Sequence, residues 1–512
     1  MKQIQTIAIV GAGAMGRGIA QIAAQAGKQV LLYDVNPDSV QAALADLRLV
    51  WNRLQEKGKL SAEQVQAAQA GLQVAPDLQA LAGADLVVEA IVERLDVKQG
   101  LLQQLEDIVA PDCVLASNTS SLSITAIAQA CRHPERVAGY HFFNPVPLMK
   151  VVEVIDGLRT RPEVGDALMQ VSREMGHTPV RAKDMPGFIV NHAGRGMNIE
   201  GLKIAQECVA PFYQVDAIMR EQAGFRMGPF ELLDLTALDV SHPVMESIYR
   251  QFYDEPRFRP SPITAVRHAG KLFGRKNGEG FYTYVEGRKQ VPDEPAAPVV
   301  EQAAPVWVAP YHAQGYERAR ELLERLGATL APEQADPPVG ALILLTPYGE
   351  DVATLVARHG LDPARSVALD TLFGLEQGRR RVLMCSAATA PQWRDQAWAL
   401  LARDGTAVSV IEDSAGFVAQ RLVATIVNIA CDIAQQQIAT PSDIDAAVRL
   451  GLGYPHNGPL SMGDAVGAAD LLDVLRNLQA VTGDMRYRAS PWLQRRVQLG
   501  LSLTALPQCR AH

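Results

Sequence analysis

Residues 6–27 read TIAIVGAGAMGRGIAQIAAQAG, a short apolar run followed by a glycine-rich turn and an amphipathic stretch. This order predicts a buried β-strand, a tight turn and an α-helix that packs on the strand. Gly11 permits the turn, Gly13 leaves room for a pyrophosphate at the helix N-terminus, and Gly16 allows close packing of helix on strand. We therefore predict a dinucleotide-binding turn. The alternative is a glycine turn that holds no ligand.

An acidic residue ends the second predicted strand. Asp34 closes the run QVLLYD, 18 positions after Gly16, where a carboxylate can accept hydrogen bonds from the ribose hydroxyls of a dinucleotide. Its negative charge would repel a 2′-phosphate, so the sequence favours NAD over NADP. Asp34 also suits an Asx turn before Asn36, a role that does not exclude the first.

Strand and helix patterns divide the chain. Short apolar strands alternate with amphipathic helices in the first 130 residues, which predicts a parallel sheet with crossover helices. Long helical periodicity then takes over, and a later cluster of prolines indicates a semi-extended linker. The fold class is therefore α/β plus all-α, with a degenerate second copy of both parts. The predicted domains are a Rossmann-type NAD-binding domain at 1–183, a helical domain at 184–285, a linker at 286–306, a degenerate α/β segment at 307–412 and a second helical domain at 413–512.

Two motifs occur twice, which indicates an internal duplication. DMPGFIV at 184–190 recurs as DSAGFVA at 413–419, and MGPFELLD at 227–234 is echoed by NGPLSMGD at 457–464. Each occurrence opens or lies within a helix-rich segment. We therefore expect the second half of the chain to repeat the first.

Further upstream the repeat is weaker. We align TIAIVGAGAMGRGIAQIAAQAG with VWVAPYHAQGYERARELLERLG at 306–327, ADLVVEAIVE with GALILLTPYG, and RVAGYH at 136–141 with RVLMCS at 381–386. On this alignment the second copy has lost the glycine pattern, carries Ser386 in place of His141, and has no counterpart of Glu153. Only the first copy is then expected to be catalytic.

One histidine and one glutamate stand in two apolar runs that NPVPLMK joins. His141 follows the fifth strand candidate, near the carboxyl edge at which open α/β sheets bind ligands. The two runs can fold back on each other, which would bring Glu153 to the imidazole. A carboxylate on one ring nitrogen fixes the tautomer and stabilises the imidazolium, while the other nitrogen takes a proton. We predict an acid–base dyad for an alcohol that loses hydride to NAD; a structural histidine is the alternative.

Other polar residues could complete such a site. SNTSSLSIT follows a predicted strand and holds Asn118, Ser120 and Ser121, of which at least one is expected to cap the next helix. Asn191 starts the helical domain after a Pro-Gly hinge, and Asn144 follows the histidine by three residues. Each is a candidate substrate or cofactor contact.

Composition excludes several classes of protein. The net charge of -8 and pI near 5.8 argue against a nucleic-acid or anionic-membrane partner, since phosphates need a positive footprint. No apolar run approaches the roughly 20 residues of a membrane helix. The cysteines form no C-x-x-C pair, which argues against a zinc site and a disulfide framework, so we expect no metal and a reducing cytoplasm. The six cysteines are Cys113, Cys131, Cys208, Cys385, Cys431 and Cys509.

Taken together, the motifs resemble the L-3-hydroxyacyl-CoA dehydrogenase family. The matching stretches run in order through residues 1–285: GAGAMGRGIA, VVEAIVERLDVK, ASNTSSLSIT, HFFNPVPLMKVVEVI, DMPGFIVN, MGPFELLD and GRKNGEGFYTY. The duplicated second half resembles the long bacterial members, and IMREQAGFRMGPFELLDL is similar to those that act on 3-hydroxyadipyl-CoA in phenylacetate catabolism.

The resemblance implies NAD-dependent oxidation of an (S)-3-hydroxyacyl-CoA to the 3-oxoacyl-CoA, as in the β-oxidation of fatty acids. It implies His141 as base, Glu153 as its partner, Ser120 on the 3-hydroxyl and Asn191 completing the polar site. An acyl-CoA substrate and a homodimer or higher homo-oligomer are also implied. The cofactor contacts that it implies are Asp34, Glu93, Lys98, Asn144 and Lys276.

Alternatives remain at this point: a 3-hydroxybutyryl-CoA dehydrogenase, a hydroxy-acid dehydrogenase that does not use coenzyme A, or an NAD-binding protein without turnover. The family's coenzyme A contacts lie in a helical excursion that is shorter here (Arg53, Lys57, Lys59) and are not assigned. Glycines in AGRGMNIEGLK are expected to weaken a helix that lines the acyl tunnel. On the same helix, Arg195 is a candidate cation for a distal carboxylate.

Overall fold

The computed structural model describes residues 3–506, so Cys509 lies outside the described residues. The chain divides into two compact units. The first comprises Met1–His192 with Gln436–Gly453, and the second comprises Ala193–Gln435 with Tyr454–His512. Across residues 3–506, no helix has the length and apolar character needed to span a membrane.

An eight-stranded sheet forms the first unit, in the order β3-β2-β1-β4-β5-β6-β7-β8. All neighbouring strands are parallel except β6 and β7. The strand order reverses between β1 and β4, the switch point at which open sheets bind ligands. The strands are β1 Thr6–Val10, β2 Gln29–Tyr33, β3 Leu72–Val74, β4 Leu86–Glu89, β5 Val114–Ser117, β6 Val137–Phe142, β7 Val151–Asp156 and β8 Thr178–Lys183.

Helices pack on this sheet, and the apolar side chains on one of its faces form a single buried core with them. Local sequence sets their ends: Asn36 accepts a hydrogen bond from the N–H of Asp38, and Pro37 takes the first helical position, where no N–H is needed. The helices are α1 Ala14–Gln25, α2 Pro37–Glu56, α3 Ala62–Gly71, α4 Leu95–Glu106, α5 Ile124–Ala128, α6 Pro162–Glu174 and α7 Val190–Ala193.

Helices then dominate, as the sequence predicts. They are followed by a short hairpin and by an extended segment in which Glu294 is paired with Arg380. The elements are α8 Arg195–Gln206, α9 Phe212–Glu221, α10 Pro229–Thr236, α11 Leu238–Gln251, α12 Pro262–Ala269, β9 Tyr284–Val285 and β10 Arg288–Lys289.

A second, five-stranded sheet follows in the order β11-β12-β13-β14-β15, parallel except between β13 and β14. Its elements are β11 Val306–Val308, α13 Ala313–Arg325, β12 Leu342–Leu345, α14 Val352–His359, β13 Ser366–Leu369, β14 Arg381–Cys385, α15 Pro391–Leu401 and β15 Val408–Glu412. The remaining helices are α16 Ala419–Gln435, α17 Pro441–Leu452, α18 Pro459–Val466, α19 Ala468–Thr482 and α20 Pro491–Leu499.

Sheet topology corrects part of the upstream alignment. The antiparallel pair of the first sheet is β6–β7 and that of the second is β13–β14, so β14 corresponds to β7. The alignment of RVAGYH with RVLMCS is therefore wrong, because RVLMCS contains β14. Asp370, directly after β13, and not Ser386, takes the place of His141. In the first sheet His141 lies opposite Glu153. At the equivalent place in the second sheet Asp370 lies opposite Val382, and the N–H of Asp370 donates to the carbonyl of Val382.

The alignment of ADLVVEAIVE, which contains β4, with GALILLTPYG, which contains β12, is wrong as well. Asp184 accepts hydrogen bonds from the N-terminus of α5, and Asp413 does the same for α14. Since β12 leads into α14, β12 corresponds to β5. The alignment of β1 with β11 agrees with the structure. Val306 in β11 forms a parallel bridge to Leu330, just as β1 pairs in parallel with β2. Within the described chain, the second copy has no element corresponding to β3, β4 or α4.

Each helical half supplies a segment to the other copy's sheet. The N–H of Lys183 in β8 donates to the carbonyl of Ile438 at 2.8 Å, and the N–H of Glu412 in β15 donates to the carbonyl of Val209 at 3.0 Å. The first bond lies within the first unit and the second within the second unit. Helix α17, from the second helical half, also packs on β7 and β8. The helical segments are therefore exchanged between the two copies.

The glycines of α8 have a packing reason. In the second unit α8 packs on α16, and a Cβ at Gly196 would lie 2.9 Å from the Cα of Ile426. A Cβ at Gly201 would lie 2.6 Å from the side chain of Pro229. Both glycines allow close approach of neighbouring elements, and this explains their presence in a helix that they would otherwise weaken.

Candidate active site

The glycine turn after β1 leaves a cradle at the N-terminus of α1. Gly11 has φ +109°, and a Cβ there would lie 2.6 Å from the carbonyl oxygen of Ala90. A Cβ at Gly16 would lie 1.8 Å from the carbonyl oxygen of Gly11, whereas a Cβ at Gly13 would meet nothing within 4 Å. The space at Gly13 opens onto backbone N–H groups of the helix N-terminus. It fits the pyrophosphate of a dinucleotide.

Asp34 lies beside this cradle and is hydrogen-bonded to its backbone. Its Oδ2 accepts the N–H of Ala12 at 2.8 Å, and its Oδ1 accepts the N–H of Asn36 at 2.9 Å. Asp34 is therefore an Asx-turn residue and also a brace for the glycine turn. Each carboxylate oxygen has a further lone pair, so Asp34 can still accept a hydrogen bond from a ribose hydroxyl.

His141 and Glu153 face each other across the antiparallel strands β6 and β7, which confirms the predicted fold-back. The imidazole Nδ1 lies 2.6 Å from Oε2 of Glu153. Oε1 of Glu153 accepts the N–H groups of Ile189 and Val190, each at 2.9 Å. The glutamate is fully buried, so these bonds fix its position, and with it the tautomer and orientation of the imidazole.

Two aromatic rings border the imidazole, and sequence analysis did not single them out. The ring centroid of Phe143 lies 4.3 Å and that of Phe188 5.9 Å from that of His141. They lower the local dielectric, which strengthens the interaction between the histidine and the glutamate. Their positions in HFF and PGF, next to the predicted base and the predicted hinge, were the available signal.

A loop after β5 carries Ser120. Asn118 accepts the N–H of Phe142 at 2.9 Å, which ties the start of this loop to the strand that holds His141. The side-chain nitrogen of Asn191 lies 3.4 Å from the carbonyl oxygen of Ser120. The structure thus places Asn118 and Ser120 after β5, close to the strand that holds His141, and brings Asn191 to the same loop.

Glu93 and Lys98 lie beneath that loop. Oε1 of Glu93 accepts the N–H of Ser120 at 3.0 Å, and Lys98 is almost fully buried between Glu93 and Glu89. Burial raises the pKa of Glu89 above its ordinary value, against the opposing effect of Lys98. Glu89 is not among the predicted site residues, although VVEAIVE contains both glutamates.

Asn144 and Lys276 are placed differently. Asn144 lines a cavity of about 720 Å³ between α1, α2 and the 144–148 turn, and Arg53 and Lys59 line the same cavity. Lys276 lies in the second unit and forms an ion pair with Asp239. The cofactor contacts expected of Asn144 and Lys276 stay predictions.

At the corresponding place in the second sheet the dyad is missing. Asp370 is fully buried and accepts hydrogen bonds from Gln420 at 2.8 Å, from the N–H of Leu372 at 3.1 Å and from Gln222 at 3.1 Å. Burial raises the pKa of Asp370 to about 6. Val382 stands where the first copy has its glutamate. This pocket is filled by a hydrogen-bonded network and has no histidine base.

Comparison with known proteins agrees with the two-copy fold. Residues 6–185 match the family model described as 3-hydroxyacyl-CoA dehydrogenase, NAD binding domain. The model of the C-terminal domain of the same family matches twice, at 187–284 and 416–505, which confirms the predicted duplication of the helical part.

Individual relatives extend this likeness over the whole chain. The 3-hydroxyadipyl-CoA dehydrogenase of Escherichia coli (strain K12) is 38% identical over 501 residues, which are 98% of each chain. A crystal structure of 3-hydroxybutyryl-CoA dehydrogenase from Escherichia coli K12 superposes with a TM-score of 0.85 at 36% identity, covering 97% of this chain and 99% of that one. The mitochondrial hydroxyacyl-coenzyme A dehydrogenase of Rattus norvegicus is 39% identical over 287 residues, 55% of this chain and 91% of the relative.

Proposed function

The chain belongs to the 3-hydroxyacyl-CoA dehydrogenase family, and from this premise we propose which residues carry the reaction and which acyl chain is oxidised. The protein is an NAD-dependent oxidoreductase that acts on 3-hydroxyacyl-CoA. The observation that carries the assignment of residues is the 2.6 Å contact between His141 and a fully buried Glu153.

We propose that Nε2 of His141 removes the proton of the 3-hydroxyl group. The O–H and C3–H bonds break, a C3 carbonyl forms, and the proton stays on the imidazole. Bound NAD supplies the acceptor for the hydride that leaves C3. Glu153 holds Nδ1–H and stabilises the imidazolium that the proton transfer creates. Because Ile189 and Val190 hold the other carboxylate oxygen, the dyad needs little rearrangement during the reaction.

Ser120 and Asn191 are proposed to orient the substrate. A hydroxyl and an amide at the carboxyl ends of β5 and β6 can hydrogen-bond the 3-hydroxyl and the thioester carbonyl, which aligns C3 for transfer. The cradle at Gly13 and the carboxylate of Asp34 are proposed to hold NAD. The complete proposed cofactor set is Gly11, Gly13, Gly16, Asp34, Glu93, Lys98, Asn144 and Lys276.

For the acyl chain we propose 3-hydroxyadipyl-CoA, and thus a role in phenylacetate catabolism. The proposal rests on the relative of that name, which shares the full length of the chain. Arg195 is the proposed cation for the distal carboxylate; it is buried, and burial lowers its pKa to about 10, where it is still charged at neutral pH. The second candidate is 3-hydroxybutyryl-CoA, the substrate that the name of the solved relative gives. The cations at the cavity near Asn144 suit the phosphates of coenzyme A.

The test is a substrate panel. NADH formation is measured with purified protein, NAD and 3-hydroxyacyl-CoA thioesters that include butyryl and adipyl chains. His141→Gln should abolish turnover without weakening NAD binding, and the exposed His133→Gln is the matched control. Equal effects of Arg195→Ala on the two chains would remove Arg195 from the adipyl assignment. Turnover of free hydroxy acids in place of thioesters would contradict the coenzyme A dependence.

We further propose that the protein works in the cytoplasm, since Cys113, Cys131, Cys208 and Cys385 are free thiols, as a reducing compartment favours. The exchange of helical segments within one chain supports the proposal that the second copy covers apolar surface of the first. A further homodimer or higher oligomer stays a prediction, which light scattering on the purified protein tests.

A further inference from the structure

The second unit holds a cavity that the proposed reaction does not use. It has a volume of about 410 Å³ and is lined by α13, the turn after β13 and parts of both helical halves. Gln222 lines it just after α9, and Met462 lines it from α18. Its apolar lining is buried, with Leu372 3%, Phe373 7% and Met462 1% exposed. The cavity thus offers a partly enclosed apolar space.

The buried part of this cavity carries a polar atom that the protein does not satisfy. Gln222 is 1% exposed, and its Nε2 donates to Asp370 at 3.1 Å. Its Oε1 is buried and has no hydrogen-bond partner within residues 3–506. Leaving a buried acceptor unsatisfied is costly, so this oxygen indicates a hydrogen-bond donor on a bound molecule.

Cations line the more exposed side of the cavity. Arg325 is exposed and donates through Nη2 to the carbonyl of Leu375, which leaves other N–H groups of its guanidinium for an anion. Arg379 is half-buried, and its Nε lies 3.6 Å from Oε2 of Glu376. Arg318 donates to two backbone carbonyls after β13 at 2.8 and 2.9 Å and so fixes the turn. The cavity therefore combines an apolar, buried part with a cationic entrance.

The first copy has an equivalent cavity, the one near Asn144. On the alignment of β1 with β11, Arg318 takes the place of Gly18. Arg325 takes the place of Gln25, and both of these first-copy residues line the cavity near Asn144. The turn after β13 likewise takes the place of the turn after β6. The same helix face and the same turn therefore line a cavity in both copies.

The two cavities take their cations from different elements. Near Asn144, Arg53 and Lys59 come from α2 and the segment after it. The second copy has no helix between Leu330 and β12, a stretch that the structure describes throughout. Its arginines come instead from α13 and from the turn after β13. Packing of a degenerate domain does not require arginines around a cavity, so their presence indicates an anionic ligand.

We propose that this cavity binds the adenosine phosphate moiety that ADP, NADH and coenzyme A share. The adenine ring packs on the apolar lining, and its amino group donates to Oε1 of Gln222. Glu321, exposed at the same cavity, accepts a ribose hydroxyl, as carboxylates do in dinucleotide sites. Arg325 and Arg379 bind the phosphates. The site takes no part in the proposed reaction and gives the second copy a ligand of its own.

The experiment titrates the full-length protein with ADP, coenzyme A and NADH in turn, by calorimetry. The first copy can bind the same ligands, so the number of sites per chain and their affinities are compared between variants. Arg325→Glu should remove one ADP site per chain or weaken it at least about tenfold, because a carboxylate then faces the phosphates. Ala465→Trp, exposed on α18 beside the cavity, should do the same by filling the space. The exposed Arg476→Glu is the matched control and should bind as wild type.

Further variants test the adenine and the location of the site. Gln222→Met keeps the volume but removes the acceptor, so it should weaken ADP about tenfold at this site and leave inorganic pyrophosphate unchanged. Arg53→Glu changes the equivalent cavity of the first copy and should leave the site in the second copy intact. The ligand that binds most tightly at the site lost in Arg325→Glu identifies the source: free nucleotide, coenzyme A or NADH.

Other outcomes overturn the proposal. If wild type, Arg325→Glu and Ala465→Trp bind all three ligands with the same number of sites and the same affinities, the cavity is not a nucleotide site. If inorganic phosphate displaces ADP from the site as effectively as AMP does, the adenosine assignment is wrong. None of these measurements requires turnover, so failure of the proposed reaction would be recognised separately, in the substrate panel.

Discussion

Asp370 occupies in the second sheet the position that His141 occupies in the first. The two residues are 229 positions apart, the same separation as between Asp184 and Asp413, which cap equivalent helices. Where His141 meets a carboxylate partner, Asp370 meets Gln420 and is enclosed. A position used for proton transfer in one copy is used in the other to join strands and helices.

This enclosed carboxyl predicts a pH dependence of stability. Asp370 has a folded-state pKa of about 6, raised from 3.8 mainly by burial and lowered only partly by its hydrogen bonds and by Arg318. A raised carboxyl pKa stabilises the fold below the unfolded pKa, and this stabilisation is lost as the pH rises through about 6. The free energy of unfolding should therefore fall by up to about 3 kcal/mol between pH 4 and 7 from this group.

Asp370→Asn should flatten that pH profile, measured by urea denaturation at a series of pH values, and the exposed Asp336→Asn should leave it unchanged. An equally steep profile in Asp370→Asn would assign the dependence to other groups.

The glycine turn predicts a separation between folding and cofactor binding. Gly13→Val adds a side chain in open space, so the melting temperature should hold while the NAD dissociation constant rises at least about tenfold, or ~1.4 kcal/mol. Gly11→Ala places a Cβ against the carbonyl of Ala90 at a positive φ and should destabilise the protein by about 1–3 kcal/mol. Calorimetry and thermal melts check both. Tight NAD binding by Gly13→Val would exclude the cradle as the pyrophosphate site.

Two helical glycines should change stability in opposite directions when replaced by alanine, because Gly196 lies where α8 packs on α16 and Gly100 lies in open space. Gly196→Ala should destabilise by about 1–3 kcal/mol, because the added Cβ approaches the backbone of Ile426. Gly100→Ala, in α4, meets no atom within 4 Å and should stabilise by about 0.5–1 kcal/mol. Urea midpoints measure both, and a stabilised Gly196→Ala would show that the helices can separate freely.

Truncation tests the exchanged segment. A chain that ends at residue 290 loses α17, which packs on β7 and β8, and loses the acceptor for the N–H of Lys183. The uncovered strand edge and apolar side chains should make this fragment dimerise or aggregate. Light scattering distinguishes the outcomes; a monodisperse, active monomer would contradict the structural role of α17.

Much of the site was predictable because its signals are local. The glycine turn is specified within one strand and one helix, and the dyad within one hairpin, so spacing alone places Gly11, His141 and Glu153. The network around Lys98 was less accessible, since it depends on how β4, α4 and the loop after β5 meet in space. Burial of Lys98 cannot be read from a helical pattern that also suits an exposed lysine.

The second half shows where sequence comparison fails. The second copy lacks β4 and its helix, so an alignment that assumes every strand is present shifts by one element and assigns Ser386 to the place of Asp370. Strand direction settles the matter, because β13 and β14 are the antiparallel neighbours of the second sheet, as β6 and β7 are of the first. The exchange of α17 was equally hidden, since no local pattern records which sheet a distant helix covers.

The bond between Lys183 and Ile438 joins residues of one chain, and this has a consequence for assembly. Docking of α17 on the first sheet is a unimolecular event, governed by an effective concentration that the intervening chain sets and not by the amount of protein in solution. The first sheet is therefore covered at the same occupancy in a dilute sample as in a concentrated one. Specific activity of the full-length protein should be independent of dilution, as it is for an enzyme whose partner can never diffuse away.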